Sequence, residues 1–173
     1  MHISYAFLEC LNMHDIRNIP GLRADGSWDL PKRLNMAAQC LSHPAEAVAL
    51  IDMTCPARRS FSYGALSEMV DGLARYLLPR IRPGARVGVL LSQSPWCAAA
   101  HLAIWKAGGI SVPLFKLFKR DALASRAGDA GVRFVFTDQE GAELLGDLAE
   151  AVMADTAGID GPPVAFADTA PET

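Results

Sequence analysis

Three groups of residues in this chain have types and spacing that could do chemistry. The first is the cationic stretch Phe115-Lys116-Leu117-Phe118-Lys119-Arg120. It follows an apolar run and leads into a helical pattern, the place where open α/β sheets gather anionic ligands at strand ends and helix N-termini. Leu117, Phe118, Lys119 and Arg120 are therefore the candidate ligand contacts. Lys119 and Arg120 could meet phosphate groups or simply stand in water, and solvation is the expected default. The second group pairs Cys10 with His14 and Cys40 with His43, which could offer a metal two thiolates and two imidazoles. These pairs have neither a standard spacing nor a knuckle around them, so free thiols, surface imidazoles and no metal are expected. The third is His101, set between Ala100 and Leu102 in a helical pattern, where a lone imidazole is expected to be a polar spot and not a catalyst.

No further motif supplies a reaction centre. The chain has no Gly-x-Ser-x-Gly elbow, no His-Glu-x-x-His, no Walker loop and no Gly-x-Gly-x-x-Gly. Nor does it contain a glycine-rich loop with a lysine that could cradle nucleotide phosphates through backbone N–H groups. No catalytic residue is assigned. Trp96 and Trp105 read as packing groups, and Met69 and Met153 as gap-fillers on apolar faces.

The elements that must position the cationic stretch are clearly punctuated. Arg86 to Leu91 is a nearly continuous apolar run, as expected of a strand covered on both faces in a parallel sheet. Ser94-Pro95 then offers an N-cap followed by proline at the first helical position, and that helix carries Trp96, Ala99, Ala100, Ile104 and Ala107. Lys106 falls in its last turn, where a cation suits the exposed carbonyls, and Gly108 supplies a left-handed stop. Ile110 to Phe115 reads as a second strand, Ala122 to Ala130 as a helix stopped by Gly131, and Val132 to Thr137 as a third strand. Crossovers of this length join parallel neighbours. The fold class is α/β, a largely parallel sheet with covering helices.

Upstream, residues 1–27 form an expected irregular arm, and Leu34, Ala37, Ala38 and Leu41 predict a modest helix between Pro31 and Ser42. Ala47 to Ile51 and Arg59 to Ser62 predict an antiparallel β-hairpin with a longer loop. From Ser62 the clearest helix begins: Leu66, Met69, Val70, Leu73, Ala74 and Leu77 fall on one face, leaving Glu68, Asp71 and Arg75 toward water. Downstream, Gly141 to Met153 predicts another covering helix, Val164 to Ala167 one more strand, and residues 168–173 a loose tail.

Several of these segments also carry a resemblance. Phe61-Ser62-Tyr63-Gly64-Ala65-Leu66 resembles the first signature of the adenylate-forming enzymes, and Trp105 to Leu114 resembles their second. Leu117-Phe118 with Asp121-Ala122-Leu123, the later Thr137-Asp138, and Trp28-Asp29-Leu30-Pro31 before Leu34-Asn35-Met36-Ala37 are similar to the acyl-CoA synthetase branch. The match runs in order from about Trp28 to Asp138. It implies the N-terminal subdomain of an acyl-CoA synthetase, residues 28–167, preceded by the arm and the hairpin. In such enzymes a carboxylic acid becomes an acyl-adenylate and then a coenzyme A thioester, with ATP, Mg and coenzyme A as cofactors. The loop corresponding to Leu117, Phe118, Lys119 and Arg120 helps to shape the family's coenzyme A tunnel, although relatives usually have small residues or Gly/Pro where Lys119 and Arg120 stand. Glu143 and Gly146 occupy places where some relatives have arginines for the coenzyme, so that contact is not carried over. The family's phosphate loop, rich in Thr, Ser and Gly and ending in Pro-Lys-Gly, would follow an equivalent of Pro171. These residues are therefore expected to be catalytically silent by themselves and to bind no cofactor, with the remainder of a synthetase as partner. The competing expectation is a binding or assembly module that self-associates through surface that the remainder would cover. A third expectation is complementation by a separate chain.

Composition fits both views. The chain has 173 residues, 51% hydrophobic and 20% charged, enough for one domain with a real core and unlike a disordered segment. Its net charge of −3, with no cationic cluster beyond Lys116, Lys119 and Arg120, implies neither a nucleic-acid nor an anionic-membrane surface. No apolar run is long enough to span a bilayer, and Glu9 interrupts any signal-peptide pattern, so a cytoplasmic protein with free thiols is expected.

Overall fold

The computed structural model describes residues 23, 26–29, 34–54, 56 and 58–155. The expected strand at Val164 to Ala167, the tail, and Cys10 and His14 lie outside the described residues, as does most of the expected arm. The chain divides into two units, 1–34 and 35–173. In the first, Arg23 and Asp29 form an ion pair at 2.7 Å around a turn in which Gly26 has φ 83°.

The second unit begins with α1 (Met36–Cys40), capped by the Asn35 side chain, which accepts from Ala37 N at 3.0 Å. The same side chain donates to Trp105 O at 2.9 Å and so ties α1 to the far end of a later helix. β1 (Val48–Asp52) and β2 (Arg59–Ser62) form the expected antiparallel hairpin. Ser62 then caps α2 (Tyr63–Leu77), accepting from Ala65 N at 3.2 Å. Val70, Leu73 and Leu77 of α2 are wholly enclosed, each worth about 1.5–3 kcal/mol relative to exposure.

The strands β3 (Arg86–Leu90), β4 (Ile110–Pro113), β5 (Phe134–Thr137) and β6 (Glu150–Met153) form one parallel sheet in the order β4-β3-β5-β6. Between them run α3 (Pro95–Lys106), α4 (Arg120–Ala130) and α5 (Gln139–Leu145). Strand alternation separates two cores. Val87, Val89, Phe134 and Phe136 pack with α2 and α3, while Leu90 and Val135 pack with Leu123, Ala127 and Leu145. Because α3 lies between α2, α1 and the sheet, it is apolar nearly all round instead of along one stripe.

Two expectations are corrected here. Asp71 does not face water: it is 7% exposed and hydrogen-bonded to Lys106, which lies in the last turn of α3 as expected and is itself 3% exposed. The periodicity of α2 marks a single stripe, but α3 covers a second flank, and the two charges enter that interface as an ion pair. The helix expected over Gly141 to Met153 is also two elements. α5 stops at Leu145 because Gly146 turns the chain at φ 57° and ψ −119°, and Ala151 and Val152 continue as strand β6. Their apolar spacing satisfied a helical period without being helical.

Candidate functional site

At the carboxyl ends of the strands, the connections after β3 and β5 leave in opposite directions, toward β4 and toward β6. That divergence marks the switch point at which doubly wound sheets hold ligands. Thr137, at the end of β5 and fully buried, donates to Leu90 O of β3 at 2.9 Å and ties the two strand ends together there. The next residue, Asp138, caps α5 by accepting from Gly141 N at 3.0 Å. A side chain at Gly141 would strike Thr137 Oγ1 and come within 2.8 Å of Leu90 O, so α5 can sit on the strand ends only with glycine there.

The β4–α4 loop borders this edge. Lys116 is tied down, its Nζ donating to Asp138 at 2.7 Å and Glu140 at 2.8 Å. Partial burial pushes the Lys116 ammonium down, but hydrogen bonds to the two carboxylates outweigh it and hold its pKa above the ordinary value. Asp138 shows the mirror balance: burial pushes it up, while Lys116 and the Gly141 N–H hold it below the usual carboxylate range. Leu117 is 96% exposed. Phe118 is half-buried, edge-on to Phe115 at 5.4 Å and beneath the Arg126 guanidinium at 4.1 Å. Lys119 is exposed at the N-cap of α4 and has no ion-pair partner among the described residues. Arg120 is not free in water: it pairs with Asp147 and donates to Leu145 O at 3.3 Å, clamping the end of α5 to α4.

The structure thus brings Leu117, Phe118, Lys119 and Arg120 onto one loop but spends Arg120 on structure. Cys40 is exposed and His43 lies against the Tyr63 ring at 4.5 Å. Among the described residues no group of three or more His, Cys, Asp or Glu side chains could hold a metal. Lys116 and Arg120 are both paired with carboxylates, so among the described cations of this loop only Lys119 is left to meet a nucleotide's phosphates.

Sequence reasoning passed over a second concavity. Leu50 to Thr54 of the hairpin face Gln93, Ser94 and the start of α3 across a cleft of about 530 Å³ that reaches His101. Its signal was available in Gln93-Ser94-Pro95, which directly follows the carboxyl end of β3. His101 Nδ1 lies 2.6 Å from Ser111 Oγ of β4, and burial pushes the imidazole pKa down. Asp52 is held down to about 2 by hydrogen bonds from the Thr54 hydroxyl and N–H and then from Arg59.

A parallel α/β layer with a leading hairpin is the N-terminal subdomain architecture of adenylate-forming enzymes. The chain belongs to the AMP-binding enzyme family, whose sequence model matches residues 36–173. It is 36% identical over 113 residues to a malpinin synthetase of Mortierella alpina, covering 65% of this chain and 1% of that protein. It is 35% identical over 122 residues to an acetyl-coenzyme A synthetase of Novosphingobium aromaticivorans, covering 66% of this chain and 19% of that protein. The fold is shared with an acyl-CoA synthetase of Brucella canis at a TM-score of 0.67 and 21% identity, over 76% of this chain and 29% of the other. The chain therefore spans less than a third of each of these relatives. No helix among the described residues is long and apolar enough to cross a membrane.

Proposed function

We propose that these 173 residues are the N-terminal scaffold of an ATP-dependent acyl-CoA synthetase and are catalytically silent alone. They supply one wall of the acyl and coenzyme A site, and the ATP-handling residues belong to polypeptide outside them. The observation that carries this reading is a family match over most of the chain together with a carboxyl edge whose cations Lys116 and Arg120 are neutralised internally. The acyl-CoA branch is favoured by the likeness to the acetyl-coenzyme A synthetase and by the signature-like segments around Trp28 and Leu117. A peptide-synthetase adenylation module is the second reading, supported by the likeness to malpinin synthetase.

ATP–pyrophosphate exchange with panels of carboxylic and amino acids tests both points. The 173-residue chain is expected to stay at background, and turnover above it refutes silence. In a polypeptide continuing into a Thr/Ser/Gly loop ending in Pro-Lys-Gly, carboxylic acids with coenzyme A should give thioester; exchange only with amino acids favours the second reading. In that longer enzyme the exposed Lys119 is the coenzyme-facing cation of the loop, beside Leu117 and Phe118. Lys119→Ala should raise KM for coenzyme A about threefold to tenfold with kcat for adenylation unchanged, the scale of one partly exposed charge-assisted contact. An unchanged KM removes Lys119 from the coenzyme site.

A further inference from the structure

The cleft between the hairpin and α3 is unused by the scaffold reading and independent of it. Its size falls within the span of small-molecule sites, and its wall is mostly apolar, built from Leu50, Ile51, Met53, Pro95 and Ala98. Its polar groups fall into two kinds. Asp52 and Ser94 already take part in the fold's own bonding: Asp52 accepts from Thr54 and Arg59, and Ser94 Oγ caps α3 by accepting from Cys97 N at 3.3 Å. His101 and Gln93 have bonding capacity to spare. Ser111 engages only Nδ1 of the His101 ring, leaving Nε2 without a hydrogen-bond partner among the described residues, and the Gln93 carboxamide likewise has none.

We propose that this cleft binds a small uncharged molecule with an apolar body and a single hydroxyl or carboxamide group, held by His101 and Gln93. Either imidazole tautomer leaves Nε2 able to make one hydrogen bond, as donor or as acceptor, and a hydroxyl or carboxamide can answer both. The Gln93 carboxamide has the same double capacity. The ligand is uncharged because the described lining residues offer no spare charge. Burial disfavours the imidazolium, and the one carboxylate in the wall, Asp52, is ionised and matched by Arg59. A carboxylate ligand would approach Asp52 with no cation among the described lining residues and would lose its hydration. The cleft is thus distinct in chemistry from any site for the carboxylic acid of the proposed synthetase.

Benzamide and benzoate, nearly equal in shape and different in charge, are the probes. Each is titrated into the 173-residue chain at neutral pH and followed by backbone amide and imidazole nitrogen NMR. Benzamide is expected to shift Thr54, Cys97, Ala98 and the His101 ring saturably, and benzoate to bind at least about tenfold more weakly. His101→Phe, which keeps the apolar bulk, should weaken benzamide about fivefold to tenfold, the scale of one lost hydrogen bond. Gln93→Ala, at an exposed position that folding does not need, should weaken it in the same direction. The proposal is overturned if benzamide gives no saturable shifts, if they fall outside the cleft, if benzoate binds equally well, or if Gln93→Ala and a folded His101→Phe keep full affinity.

Discussion

The Asp71–Lys106 pair offers the sharpest test of how this scaffold is held together. Its side chains are 11% and 4% exposed, and the pair joins the flank of α2 to the last turn of α3. Two charges in such an interface cost desolvation, which their attraction roughly offsets, whereas removing one partner leaves the other charge buried and unmatched. Lys106→Met deletes the cation while keeping the aliphatic stem, so the Asp71 carboxylate loses its ion-pair partner. The expected loss is about 3–5 kcal/mol, and with a urea m-value near 2 kcal/mol/M the midpoint should fall by roughly 1.5–2.5 M. Asp71→Leu should also lower the midpoint, because Lys106 loses its hydrogen bond to Asp71. The double variant should recover most of the loss, since two apolar side chains of similar volume can replace a buried pair with little net cost. Urea unfolding of the four proteins, followed by tryptophan fluorescence and far-UV circular dichroism, closes the cycle. A cost below about 1 kcal/mol for Lys106→Met, or a double variant less stable than either single one, would refute the picture of a matched buried pair.

Two more outcomes follow from contacts at the sheet's edge and in the hairpin. Gly141→Ala should destabilise the chain by about 1–3 kcal/mol, because the new methyl meets Thr137 Oγ1 and the Leu90 carbonyl, neither of which can move without breaking the β3–β5 bridge; unchanged thermal stability would contradict the packing of α5. Asp52 has its pKa lowered from 3.8 to about 2, so the hairpin gains stability that is complete above the unfolded value and is lost as pH falls through the folded one. A titration from pH 5 downward should show the Asp52 carboxyl carbon and the Thr54 amide moving together with a midpoint near 2. A midpoint at 3.8 or higher contradicts the Thr54 and Arg59 hydrogen bonds.

The sequence made the α/β class plain because its punctuation marks are local. Ser62 and Ser94 are the caps they were expected to be, Pro95 opens α3, and Gly108 and Gly131 have the positive φ their stops require. Each is settled by bonds within a few residues. The exposure expected of Asp71 fails for the opposite reason: its partner Lys106 is 35 residues away, and nothing in either neighbourhood says that α3 will cross α2 there. The helix predicted beyond Leu145 failed because Ala151 and Val152 fit either period, and only the Gly146 backbone decides between them. The β4–α4 loop was found by its position after a strand, yet the fate of Arg120 depended on Asp147, which lies beyond a whole crossover.

That last partnership also says what kind of edge this is. A loop with three cations would ordinarily project a positive field over the strand ends, but Lys116 is answered by Asp138 and Glu140 and Arg120 by Asp147. Three carboxylates therefore face two of the three cations, and only Lys119 is left outward among the described residues of the loop. The loop's charges hold α4, α5 and β5 in register more than they attract anions. An anionic ligand at this edge therefore meets Lys119 as the one outward cation of the described loop, so if the longer enzyme binds coenzyme A as proposed, Lys119→Ala should reduce the salt dependence of that binding by no more than one charge.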